Sequence, residues 1–161
     1  MAAGGPVARV GLEIASESSA EGTLLLGRLG WDGAPDTLLK RPDFGGTVWH
    51  RAWVNGVNHF QPGWPGNDFR LSQHDGTGLL IAGCREWTDY RASATLIPHL
   101  IGTCGLGVRV QGMRRYYALL LDRTGNARLV KALDGITVLA EQPFPVELDA
   151  RYELALEARG N

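Results

Sequence analysis

The stretch GLGVRVQGMRRYYALLLD, Gly105 to Asp122, reads as two strands joined by a short turn. Alternation puts Leu106, Val108 and Val110 on one face of the first strand and Gly105, Gly107, Arg109 and Gln111 on the other. In the second strand Tyr116 and Tyr117 are neighbours, so they must point to opposite faces. Tyr116, Ala118 and Leu120 make a core face; Tyr117 shares its face with Leu119, on the same sheet as Arg109 and Gln111. A strand glycine marks close approach by a ligand or by another backbone. One tyrosine is therefore expected to be structural and the other ligand-facing, and a one-residue bulge would exchange them. Arg114 and Arg115 at the turn read as a solvated rim.

The same pattern extends on both sides. YRASATLI places Tyr90, Ala92, Ala94 and Leu96 on one side and Arg91, Ser93 and Thr95 on the other. ARLVKAL, the turn DG and ITVLAEQ follow, and RYELALEA aligns Tyr152, Leu154, Leu156 and Ala158. Upstream, TVWHRAWVNGV is strand-like, and FRLSQ and TGLLIAG are short strands around the turn HDG. Helical spacing is nearly absent, and the 22 glycines are scattered between short apolar runs. That is the pattern of an antiparallel all-β sandwich.

At 161 residues, with 44% hydrophobic and 20% charged residues, the chain can bury a real core. A net charge of −1 gives no general pull toward nucleic acid or an anionic membrane, so neither is expected as a partner. No apolar run reaches the roughly 18–20 residues of a membrane helix. The start, MAAGGPVARVGLEIAS, lacks the apolar core of a signal peptide, and a cytoplasmic location is expected. Cys84 and Cys104 form no metal-ligand pattern and are expected to be reduced, half-buried thiols rather than one disulfide.

The second half resembles the concanavalin A-like, laminin-G-like jelly rolls, nearest the keto-disaccharide hydrolase-like group. REWTDYRASATLIP, CGLGVRVQGMRRYYALLLD and LVKALDGITVLAEQPFPVELDARYELALEARGN carry this resemblance. Residues 7–161 are similar to the C-terminal region of actinobacterial ADP-ribosylglycohydrolase family proteins, through GTVWHRAWVNGVNHF and GTGLLIAG. In those proteins the catalytic domain is helical, N-terminal and magnesium-dependent; it is not represented here. Residues 1–33 resemble the closing strands of a galactose-binding-like jelly roll, but Gly27 stands where an Asp is usual. The resemblance implies a remnant hairpin of a second jelly roll over 1–33, a linker over 34–46 and a C-terminally incomplete sandwich over 47–161. It also implies a missing upstream domain as a partner.

Retaining glycosidases need two carboxylates about 5–5.5 Å apart, and inverting ones about 6.5–9.5 Å. On a strand, Glu-x-Asp-x-Glu presents them economically, and no such pattern occurs. Glu153 and Glu157 share a face but read as a solvated edge, so no catalytic residue is assigned. His50, His59, His74 and His99 have no zinc spacing. No cofactor is expected, with calcium at Asp68 and Asp75 as the alternative.

Binding is better supported. Flat aromatic faces suit the apolar C–H faces of sugar rings, with a few fixed polar groups to hold hydroxyls. Trp49 and Trp87 read as packing, whereas Trp53 and Trp64 sit in turn-like context beside Asn55. The expected ligand-binding residues are therefore Trp53, Asn55, Trp64, Arg109, Gln111 and Tyr117. The expected function is a non-catalytic carbohydrate- or glycoconjugate-binding module of an ADP-ribosylglycohydrolase-like protein. A glycosidic-bond hydrolase and a purely structural domain are the alternatives.

Overall fold

A computed structural model describes residues 53–61 and 68–160, together with 21–27, Glu13, Ala15 and Glu17. The remnant hairpin, the linker, Trp49 and Trp64 lie wholly or largely outside the described residues. Within the expected hairpin, residues 21–27 are exposed.

Among the described residues there are ten strands and no helix. They are β1 (Trp53–Gly56), β2 (His59–Gln61), β3 (Arg70–Ser72), β4 (Leu79–Ala82) and β5 (Tyr90–Leu96), then β6 (Thr103–Gly112), β7 (Arg115–Asp122), β8 (Asn126–Leu133), β9 (Ile136–Pro143) and β10 (Tyr152–Ala158). All pairings are antiparallel: β6-β7-β8-β9 form a four-stranded sheet, β5 pairs with β10, β1 with β4 and β2 with β3. FRLSQ and TGLLIAG thus do not pair with each other. β2–β3 is nested inside β1–β4.

The four-stranded sheet is a meander because tight turns join its strands. Gly125, at φ +88°, closes the β7–β8 turn and donates its N–H to the carbonyl of Asp122 at 3.2 Å. Asp134, at φ +56°, makes the β8–β9 turn and accepts an ion pair from Arg115 at 3.0 Å.

Alternation does the rest. Ala94 lies opposite Leu154 and Ala92 opposite Leu156, so β5 and β10 present one apolar face together. That face packs on Cys104, Leu106, Leu119, Leu121 and Ala127, with Leu96, Phe144, Val146 and Tyr152 closing the cluster. Tyr116, Ala118, Val130 and Ala132 form a second buried cluster, joined by Leu79, Val110 and Leu120. The two clusters take alternate residues of β7, so they lie on opposite faces of the sheet. The sandwich expected from the sequence is formed; β7 and β8 bury residues on both faces of the four-stranded sheet, whereas β9 is exposed along its length.

Candidate functional site

The expected binding face is divided by an irregularity in β6. Val108 pairs with Tyr117 and Gly112 with Arg115, so four steps along β6 match two along β7. Arg109 takes up the mismatch at φ +52°, a left-handed conformation that costs an ordinary residue energy. Beyond it, Val110 joins the Tyr116 cluster instead of the face of Leu106 and Val108. The expectation that Leu106, Val108 and Val110 share a face is corrected accordingly.

Arg109 itself is committed to the protein. Its main-chain N–H donates to the Tyr90 hydroxyl at 2.6 Å. Its guanidinium donates to the carbonyls of Thr88, at 3.0 Å, and Gly160. Asp89 lies 3.6 Å from the same nitrogen and accepts the Gly160 N–H at 2.9 Å. The side chain is 23% exposed and fastens β6 to the approach of β5 and the exit of β10.

Tyr117 lies opposite Val108 and Lys131, on the face of Leu106 and Leu119 and not with Gly105 and Gly107. The Lys131 ammonium stands 5.8 Å from the centre of its ring. Gln111 is exposed beyond the irregularity. Arg109, Gln111 and Tyr117 are therefore not gathered on one face. Gly105 opens no ligand surface at β7: a Cβ there would collide with the main-chain oxygen of Leu119. The glycine serves a close approach of backbones.

Trp53 packs edge-to-face on Phe69, with centroids 5.6 Å apart, and Phe69 meets Phe60 at 5.8 Å. Asn55 accepts the Val57 N–H at 3.1 Å on its side-chain oxygen, which sets the turn into β2. Asn58 and Gln73 hold the same loops: Asn58 accepts the His74 N–H at 2.8 Å, and Gln73 accepts the Asn58 N–H at 2.9 Å. β1 lies beside the β6–β7 turn, since a Cβ on Gly56 would stand 2.8 Å from the Met113 sulfur. Trp64 lies outside the described residues.

A different polar group emerges on the face of the four-stranded sheet that carries Tyr116 and Val130. Gly105, Leu120, Arg128 and Glu141 stand in register across all four strands. Asp122, next along β7, is buried at 2% exposure. It accepts the Thr124 hydroxyl at 2.6 Å, the Asn126 N–H at 3.1 Å and the Arg128 guanidinium. The Thr124 hydroxyl above all, then the Asn126 N–H and Arg128, hold the Asp122 carboxyl below the usual carboxylate range, against the opposing effect of burial.

Arg128 is thereby fixed between two carboxylates. Its Nε, buried without a hydrogen-bond partner, lies 3.8 Å from Glu141. Arg128 is 33% and Glu141 49% exposed, so both reach solvent. A pre-set guanidinium and a carboxylate offer donors and acceptors side by side, suited to hydroxyl groups. Among the described residues no group of three or more His, Cys, Asp and Glu side chains could hold a metal ion.

The sequence reading missed this row. Asp122 ends the Gly105–Asp122 stretch and Arg128 lies in ARLVKAL, and neither was given a site role there. Their even spacing across a tight hairpin was the available signal.

No protein family and no curated protein matches the sequence. Among solved structures, the chain is similar to the carbohydrate-binding module CBM66 from Bacillus subtilis. The TM-score is 0.59 at 17% identity, covering 68% of this chain and 69% of that one. At that identity the likeness is one of fold.

Proposed function

We propose that this chain is a non-catalytic carbohydrate-binding module. The observation that carries the reading is Arg128, pinned by buried Asp122 and facing Glu141 on an accessible row of the sheet. Sugars are recognised by such pre-arranged donor and acceptor pairs, because a fixed side chain loses little freedom on binding. Two further points support it. A solved structure of similar fold is named as a carbohydrate-binding module. The resemblance of GTVWHRAWVNGVNHF and GTGLLIAG supports a place as an accessory module of an ADP-ribosylglycohydrolase-like protein. Within this reading Gln111, exposed on β6, and the Trp53–Asn55 strand serve as secondary contacts, whereas Arg109 and Tyr117 support the sheet.

A glycan array probed with the whole chain tests the proposal. Binding should be lost in Glu141→Ala without a change in melting temperature. Equal binding by that variant would remove the site, and no binding to any glycan would remove the function.

A further inference from the structure

We infer that the Arg128–Glu141 row selects neutral glycans presenting adjacent hydroxyls and rejects anionic ligands, ADP-ribose included. The inference rests on the carbohydrate reading and adds its ligand class.

The argument is one of charge and valence. The row and its support hold two carboxylates, Asp122 and Glu141, against one guanidinium. Lys131, the next cation along β8, faces the Tyr117 ring on the opposite side of the sheet. Arg123 sits in the exposed β7–β8 turn, its main-chain N–H bonded to Gly102 at 3.0 Å, and not in the row. A uronate, sulfate or diphosphate placed here would meet an excess of negative charge. Its natural partner, Arg128, is already bonded to Asp122 and lies 3.8 Å from Glu141. An ionic ligand would have to displace those carboxylates, leaving Asp122 buried without its cation, which is costly.

Neutral hydroxyls face no such conflict. Each is both donor and acceptor. Two neighbouring hydroxyls can give their protons to the two Glu141 oxygens while their lone pairs face the Arg128 edge. Val138, exposed on the same face one row along, supplies an aliphatic surface for the C–H side of a ring. A carboxylate acceptor makes these bonds stronger than a neutral amide would.

The test combines an array of neutral, uronate-bearing, sulfated and sialylated glycans with calorimetry against ADP-ribose. The whole chain and Glu141→Gln are both used. The chain should bind neutral glycans alone, with little dependence on salt. Glu141→Gln should weaken that binding at least about tenfold, the loss expected for a charge-assisted bond. Three outcomes overturn the inference in distinguishable ways. Tighter binding of acidic glycans or ADP-ribose, weakened by salt and improved in Glu141→Gln, removes the charge selection alone. Neutral binding that Glu141→Gln leaves unchanged removes the site. No binding by any probe removes the carbohydrate reading, and this inference with it.

Discussion

The Tyr90 hydroxyl accepts the main-chain N–H of Arg109 at 2.6 Å, at the point where β6 leaves its regular register. The bond satisfies a donor that the irregularity takes out of the ladder. Tyr90→Phe should orphan it and cost about 1–3 kcal/mol. Chemical denaturation of the two proteins measures this directly, and a difference within error would show that water replaces the phenol.

Arg109 is held by main-chain carbonyls, so Arg109→Ala should destabilise beyond the roughly 0.5 kcal/mol typical of surface changes. Alanine also keeps the left-handed backbone at φ +52°. Arg109→Gly relieves that conformation and should be more stable than Arg109→Ala by about 1 kcal/mol. The reverse order in denaturant melts would show that the backbone relaxes when the guanidinium is gone.

Two neighbouring strand glycines should behave differently. A Cβ on Gly105 collides with the Leu119 carbonyl, whereas on Gly107 it makes ordinary contacts at 3.5 and 3.7 Å. Gly105→Ala should cost about 1–3 kcal/mol, as overpacking does. Gly107→Ala should change stability by less than about 0.5 kcal/mol. Paired thermal melts separate the two, and equal effects would contradict the close approach at Gly105.

Asp122 links stability to pH. Its folded carboxyl is held below the ordinary value, first by Thr124 and then by Asn126 and Arg128. Its contribution is therefore present above the unfolded carboxylate range, near pH 4, and is lost as pH falls through the depressed folded value. Melting temperature should fall on acidification below about pH 4. The fall should be smaller in Thr124→Val, and Asp122→Asn should remove its share. An unchanged acid profile in Asp122→Asn would rule out this linkage.

The two cysteines are free thiols in different surroundings. Cys84 is exposed, whereas burial pushes the Cys104 thiol up and lowers its thiolate fraction at neutral pH. A thiol reagent should titrate one group quickly in the native protein and the second only in denaturant. Two fast groups would place Cys104 at the surface.

Where alternation is unbroken, the fold was legible. Tyr90, Ala92, Ala94 and Leu96 of β5, and Tyr152, Leu154, Leu156 and Ala158 of β10, turn inward as their spacing requires. Legibility stopped at the two irregularities. Arg109 is not glycine, so nothing in its identity announces a left-handed residue that moves Val110 to the other face. On β9, Leu129 pairs with Ala140 but Val130 with Val138, so Leu139 is an extra residue. That insertion brings Glu141 into line with Arg128; plain alternation from Val138 would have put it on the opposite side. The candidate site depends on a bulge, and bulges follow from the pairing of distant strands rather than from local pattern.

The pairing of Tyr90 with Ala158 sets an order of events during synthesis. β6 to β9 are consecutive hairpins and can assemble as each emerges from the ribosome. β5 leaves earlier, its partner among the described strands is β10, and the Arg109 bond to Gly160 closes later still. Until then β5 lacks its β10 partner, and formation of contacts so distant in sequence is slow. A nascent chain halted between β9 and β10 would thus display a finished meander beside an unmated strand, the form in which chaperones would meet it.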